Sequence, residues 1–240
     1  MTVCYDGKNY CGWQSQNNGI SIQMKLQEAI QQVTKEEITV IASGRTDAGV
    51  SAKAQVCHFD SNTKIKEENL IKAINNFLPE DISVIGLEET ENDFHARFSA
   101  KRKTYEYRFY VSEYRNALLD RDRLRIYNVD IDKMKKATVY FLGKHSFKGF
   151  CSAGSSVKDF EREIYNISLT QIGDEISLKI CGNGFLYNMV RIIAGTILEV
   201  GQGKIRLEDL EKIIASEDRK LAGKTLPAKA LMLVSVEYDK

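Results

Sequence analysis

Ile38-Thr39-Val40-Ile41-Ala42, then the eleven residues Ser43–Lys53, then Gln55-Val56-Cys57-His58-Phe59: this stretch reads as strand, glycine-containing loop, strand. Apolar and β-branched residues suit extended chain at both ends, and Gly44 and Gly49 punctuate the middle. On the N-terminal side, Ser21 is placed to cap a helix whose apolar positions Ile22, Leu26, Ile30 and Val33 fall on one face. Thr2–Tyr5 before it is a short strand closed by the turn signal Asp6-Gly7. On the C-terminal side, Glu67–Leu78 forms a second amphipathic helix on Leu70, Ile71, Ile74, Phe77 and Leu78, stopped by Pro79. Ile82–Leu87 is a further strand. The first half is therefore β-α-β-β-α-β.

The second half repeats that order. Thr104–Val111 alternates, with Tyr105, Tyr107 and Phe109 on one face. Asp130 caps a helix running through Phe141, and Gly143 suits its C-terminal end. Ile164–Gln171 and Glu175–Cys181 make a hairpin around Gly173-Asp174. Tyr187–Val200 is apolar all round, which predicts a buried helix. Leu207–Ala215 is another helix and Leu231–Tyr238 a closing strand. The expected fold is α+β, an α/β sandwich: two domains, 1–102 and 103–240. Each has an antiparallel sheet with helices on one face, and the sheets meet at a central catalytic cleft.

Composition bounds the function classes. The 240 residues carry 34 Lys+Arg against 33 Asp+Glu and are 43% apolar. That is enough for one large core or two modest ones and excludes a disordered chain. No 18-residue apolar window is present, so no transmembrane helix is expected. Met1–Asp6 has neither a basic nor an apolar leader region and is read as no signal peptide. The five cysteines, at 4, 11, 57, 151 and 181, include no C-x-x-C pair, and there are three histidines. Neither a disulfide framework nor a metal site is expected, and the cysteines read as small buried residues in a reducing cytosol.

Two segments could carry chemistry. Gly44-Arg45-Thr46-Asp47-Ala48-Gly49-Val50 places a guanidinium and a carboxylate two residues apart in a loop on a strand scaffold. A carboxylate beside a guanidinium stays ionised, which suits a nucleophile or general base. The other reading of Asp47 is a turn residue bonded to its own backbone. Lys101–Arg125 holds eight cations against four carboxylates, with Tyr105, Tyr107 and Phe109 interleaved. It is either a nucleic-acid surface or a charged strand and loop.

The loop resembles the signature of the tRNA pseudouridine synthase A family. Five further segments are similar to that family, in order along the chain. They are Tyr5-Asp6-Gly7 with Tyr10-Cys11-Gly12-Trp13-Gln14; Ser21-Ile22-Gln23; Asn75-Asn76-Phe77-Leu78-Pro79; Asp93-Phe94-His95-Ala96-Arg97-Phe98-Ser99-Ala100; and Gly184-Phe185-Leu186-Tyr187-Asn188-Met189-Val190-Arg191. The resemblance implies isomerisation of uridine to pseudouridine at positions 38, 39 and 40 of the tRNA anticodon stem-loop. It implies no cofactor and no metal, a cytoplasmic location and a homodimer with tRNA spanning both subunits.

It also assigns roles. Asp47 matches the essential aspartate, acting as nucleophile at the ribose or base, or as the base that removes the 2′ proton. Arg45 would contact phosphate or Asp47, against a structural loop bridge. Tyr105 would stack on the target uracil, against simple core cover with Tyr107 and Phe109. Arg191 would pair with Asp47, against reaching the surface along its stem. His95 and Arg97 are either RNA contacts or structural, and Lys101, Arg102 and Lys103 are phosphate contacts if the basic surface is real. Trp13 reads as packing. Two departures stand out: Ser51 where the family usually has histidine, and an opening a few residues shorter than usual. A non-catalytic RNA-binding or RNA-folding module and a carboxylate-dependent nucleoside hydrolase are the rival readings.

Overall fold

The Ser21 hydroxyl accepts a hydrogen bond from the Met24 N–H at 3.2 Å, so the expected cap starts the expected helix. A computed structural model describes residues 1–16, 19–154 and 157–239. It divides into two units: Met1–Lys101 with Met232–Lys240, and Arg102–Leu231.

In the first unit the order is β1 (Thr2–Tyr5), α1 (Ile22–Thr34), β2 (Ile41–Ala42), β3 (Ser51–His58), α2 (Glu67–Asn75) and β4 (Ile82–Gly86). This is the β-α-β-β-α-β order read from the sequence. β1 lies between β3 and β4, antiparallel to both, with Val3 opposite Gln55 and Val84. Ile22, Leu26, Ala29 and Ile30 of α1 are buried, as are Leu70 and Ile74 of α2. The two helices pack on each other and α2 packs on β4. Asn75 clips the end of α2 to β4: its Nδ2 donates to Val84 O at 2.9 Å and its Oδ1 accepts from Val84 N at 2.7 Å.

In this unit three boundaries differ from the sequence reading by more than one residue. Only Ile41–Ala42 of the stretch from Ile38 pairs as a strand. Side chains of α1 take the backbone of Val40 instead: Gln27 Oε1 accepts its N–H at 3.2 Å and Gln23 Nε2 donates to its C=O at 2.9 Å. β3 begins at Ser51 rather than Gln55, so the loop is shorter by three residues, Ser43–Val50. α2 ends at Asn75, leaving Phe77 exposed beyond it.

The second unit contains most of β5 (Ala100–Val111), then β6 (Leu124–Ile126), α3 (Ile131–Thr138), β7 (Gly143–Ser146), β8 (Glu161–Ile172), β9 (Glu175–Gly182), α4 (Met189–Gly201) and α5 (Leu210–Ser216). The sheet runs β5-β9-β8-β7, antiparallel throughout, with β6 parallel to β5. Asp130 caps α3 by accepting from Lys133 N. α3 packs on α4 and β8, and α5 on β7. Eleven of the thirteen residues of α4 are buried, as its all-round apolar sequence demands. β6 and β7 are additions to the sequence reading. With them the second unit is no simple repeat of the first.

The last strand, β10 (Leu231–Tyr238), pairs parallel with β3, Met232 opposite Ser51 and Leu233 opposite Ala52. From Met232 onward it groups with the first unit, whereas the sequence reading places it in a second domain of 103–240. β10 and β2 share one edge of β3, covering its two ends. Among the described residues no helix is long and apolar enough to cross a membrane. No described group of three or more His, Cys, Asp or Glu is placed to hold a metal. The five cysteines are free, and burial pushes the Cys57 thiol up to about 12.

Candidate active site

The loop between β2 and β3 carries Arg45 and Asp47 and is braced by both backbone and side-chain hydrogen bonds. Asp47 O accepts from Val50 N at 3.1 Å, closing a turn with Gly49 at φ +78°. Gly49 N donates to Tyr10 O at 3.3 Å and Trp13 N to Thr46 O at 3.0 Å. Thr46 is buried and shares a 2.8 Å hydrogen bond with the Tyr5 hydroxyl. Burial raises the Tyr5 pKa, which keeps the phenol neutral and able to hold Thr46. At the loop entrance Ser43 Oγ donates to Gln55 Oε1 at 2.8 Å, and Gln55 Nε2 donates to Gly44 O at 2.9 Å. Asp47 is half-buried and Arg45 exposed.

Gly12 lies directly behind this loop, with φ +104°. A Cβ there would stand 2.6 Å from Thr46 O and 3.1 Å from the Asp47 carbonyl carbon and Ala48 N. Only glycine fits that backbone and that gap. Trp13, 2% exposed, packs at 6.1 Å from the Tyr5 ring, which is the packing role read from the sequence.

Arg45 is anchored from α1. Its Nε donates to Gln14 Oε1 at 3.0 Å; Gln14 Nε2 donates to Gln23 Oε1 at 2.7 Å. Gln23 is itself held by Val40 O and by the Ser15 N–H at 2.9 Å. The Gln14 and Gln23 roles are missed by the sequence reading, although both residues sit inside the motifs that carry the family resemblance. Ser51, the residue at the unusual position, is a pin between strands. Its Oγ accepts from Gly7 N at 3.0 Å and donates to Asp6 Oδ1 at 3.4 Å.

His95 and Arg97 occupy the tight segment before β5. His95 Nδ1 accepts from Arg97 N at 3.1 Å and Phe98 N at 3.3 Å, and His95 N donates to Ser99 Oγ. This is the structural alternative for His95, while Arg97 is exposed. His58 Nδ1 accepts from Ala96 N at 3.1 Å, and its ring lies 4.7 Å from that of His95.

Burial, and then the neighbouring His95, push the His58 pKa down, against a smaller upward pull from Asp60. The fold thus holds the neutral ring, whereas the unfolded chain binds a proton near 6.5. The stabilisation is complete above that value and is lost as pH falls through the lower folded pKa. Melting temperature should therefore drop as pH is taken from 7.5 to 5.5, to a smaller extent in His58→Gln; equal pH dependence in the two proteins would refute the account.

Tyr105 and Arg191 lie in the second unit. Tyr105 on β5 is 8% exposed, opposite Ile180 of β9, and meets the Phe185 ring edge-on at 5.2 Å. Tyr107 and Phe109 are fully buried, and the Tyr107 hydroxyl donates to Pro227 O at 2.8 Å. Arg191 is in the first turn of α4. Its Nε donates to Leu226 O and its Nη1 to Asn188 Oδ1, both at 2.6 Å. Asn188 adopts a left-handed conformation, φ +62°, and its Nδ2 reaches Ser152 Oγ at 2.9 Å.

Part of the basic segment is paired with carboxylates. Arg108 pairs with Glu106 and Asp122, Arg123 with Glu175, and Arg115 with Asp120. Burial opposes ionisation of Glu106, but hydrogen bonds from Ser177 and Arg108 outweigh it and hold its pKa down. Lys101 pairs with Asp239 at 2.9 Å. Arg102 is exposed and lies over the Tyr165 ring at 4.9 Å, and Lys103 is half-buried opposite Gly182. Of the segment's cations, Lys101, Arg102, Arg115 and Arg121 are exposed, and Lys103, Arg108, Arg123 and Arg125 are half-buried.

A family model described as tRNA pseudouridine synthase matches residues 1–99 and 137–239, and the chain belongs to that family. Within it, the chain is similar to proteins named tRNA pseudouridine synthase A. The one from Caldicellulosiruptor bescii is 47% identical over 239 residues, 99% of this chain and 98% of its own. Those from Acetivibrio thermocellus and Bacillus pumilus are 45% and 42% identical, with the same shares covered. A chain in the crystal structure of a Cbf5-Nop10-Gar1 complex is 15% identical, with a TM-score of 0.35 over 83% of this chain and 54% of its own, a likeness too slight to bear on function. The chain is an isomerase that converts uridine in tRNA to pseudouridine. Nothing favours the non-catalytic RNA-binding module.

Proposed function

We propose that the Asp47 carboxylate performs this isomerisation on uridines at positions 38, 39 and 40, in the anticodon stem-loop of tRNA. The observation that supports the reading is the construction of the Asp47 loop, whose backbone is fixed from β1, the Gly12–Trp13 segment and β3. A carboxylate that must meet a sugar or base within hydrogen-bonding distance benefits from such preorganisation. In the reaction the N1–C1′ bond breaks, the base turns, and C5 bonds to C1′. The C5 hydrogen leaves as a proton and N1 regains one, so no oxidant or co-reactant is consumed.

Asp47 serves in each of the routes open to it: attack at C1′, attack on the base, or removal of the 2′ proton. In the first, it also stabilises the positive charge that develops at C1′. Tyr105 stacks on the target uracil, worth roughly 1–3 kcal/mol. Arg45, aimed by Gln14 through Nε, keeps its two terminal nitrogens for the phosphate of the flipped nucleotide. Arg191 supports the aspartate. Arg97, Lys101, Arg102 and Lys103 contact phosphates; His95 acts through the backbone it holds. The protein works in the cytoplasm as a homodimer.

The test is tritium release from tRNA labelled at uridine C5, using three substrates with a single uridine among positions 38, 39 and 40. Release from each supports the assignment. No release from any of them, with other tRNA uridines converted, would move the target elsewhere.

A further inference from the structure

Phe98 is 75% exposed, in a segment that is otherwise tightly held. Four anchors fix that segment: Ala96 N donates to His58 Nδ1, Ala96 O accepts from the Tyr238 hydroxyl at 2.7 Å, and the Arg97 and Phe98 N–H groups both donate to His95 Nδ1. The His95 ring lies 4.3 Å from the Phe98 ring at 35°, and the His58 ring follows at 4.7 Å. The Arg97 guanidinium stands 5.7 Å from the Phe98 centroid. Among the described residues Arg97 has no carboxylate within ion-pair distance.

Phe98 therefore presents an aromatic face to solvent on a fixed backbone, beside a guanidinium with no ion-pair partner among the described residues. A protein surface would call for a contiguous apolar patch. Its apolar neighbours in the chain, Phe94, Ala96 and Ala100, are buried or half-buried, and the exposed ones are the cations Arg97 and Lys101. An unpaired nucleobase needs only a π-face, with a cation nearby for its phosphate.

We infer that Phe98 and Arg97 form a base-stacking platform for an unstacked nucleotide of the RNA substrate, separate from the Tyr105 stacking position. The inference rests on the tRNA reading above and adds a second base contact to it. Rigidity is part of the design: with the turn already fixed by His58, His95 and Tyr238, little backbone order is lost when the base arrives.

Binding of unmodified tRNA to the full chain tests this. Phe98→Ala should weaken Kd about 5- to 100-fold, and Phe98→Tyr should restore it. Phe98→Trp supplies a direct readout, because Trp13 is the sole native tryptophan and is 2% exposed. The introduced indole should be quenched on adding tRNA. Its emission without RNA should not depend on protein concentration. Unchanged Kd in a folded Phe98→Ala, or an indole that becomes buried as protein alone is concentrated, overturns the platform; the latter would mean that a second copy covers Phe98. Wild-type turnover distinguishes the two readings. If tritium is released normally while Phe98→Ala binds like wild type, only the platform falls; if wild type neither binds nor turns over tRNA, both do.

Discussion

Asp47→Asn should reduce tritium release from C5-labelled tRNA by roughly 10³-fold or more, with tRNA affinity within a few fold of wild type. Asparagine has the same shape as aspartate and retains the side-chain carbonyl. The bonds that shape the turn run through the backbone of Asp47 and its neighbours: Asp47 O to Val50 N, Thr46 O to Trp13 N, Tyr10 O to Gly49 N. The substitution removes the negative charge and the nucleophilic oxygen while leaving that frame in place. Affinity should survive because phosphate contacts dominate RNA binding, and an anion among phosphates does not strengthen it. Turnover within tenfold of wild type would remove Asp47 from the chemistry and return the loop to a structural role.

Gly12→Ala should also damage turnover strongly, without touching a reacting group. The residue sits at φ +104°, where an L side chain is strained by about 1–3 kcal/mol. Its new methyl would also press on Thr46 O from 2.6 Å, and that oxygen is the acceptor for Trp13 N. Backbone on both sides cannot yield as a flexible side chain would. The loop must move, and a displacement of about 1 Å at a reacting group costs on the order of 100-fold. For a chain of this size each kcal/mol lowers the melting temperature by about 2–4 °C, so a loss of several degrees should accompany the fall in kcat. A variant with wild-type kcat and melting temperature would show that the loop is not braced from behind by Gly12.

How much of this is legible in the chain can be judged residue by residue. Ser21, the spacing of Ile22, Leu26 and Ile30, and the runs Thr2–Tyr5 and Leu231–Tyr238 announce their elements with correct boundaries, because capping and burial periodicity are local. β6 and β7, three and four residues long, are too short to show a period. The start of β3 hides in Ser51-Ala52-Lys53-Ala54, whose small and charged side chains carry little alternation. The pairing of β10 with β3 is invisible because nothing local records a partner so far back in the chain. In the candidate site, the loop is legible as a loop between strands. Its supports are not: Gln14 reaches Arg45 across 31 residues and Tyr5 reaches Thr46 across 41. Those residues appear in the sequence only as motif positions, and their physical reason emerges once the strands are paired.

The parallel seam between β10 and β3 sets an order of events during synthesis. The strand carrying Ser51 and Ala52, which leads out of the Asp47 loop, gains its neighbour only after Arg102–Leu231 has been made. At roughly 5–20 residues per second, that delay on the ribosome is on the order of ten seconds. Through that interval the edge of β3 is open at the end nearest the aspartate, and the intervening unit gains its last helices, α4 and α5, only as the interval closes. The first unit therefore has β1, β3, β4 and both helices from the outset, but closes the edge of β3 beside the Asp47 loop only with the last strand of the chain.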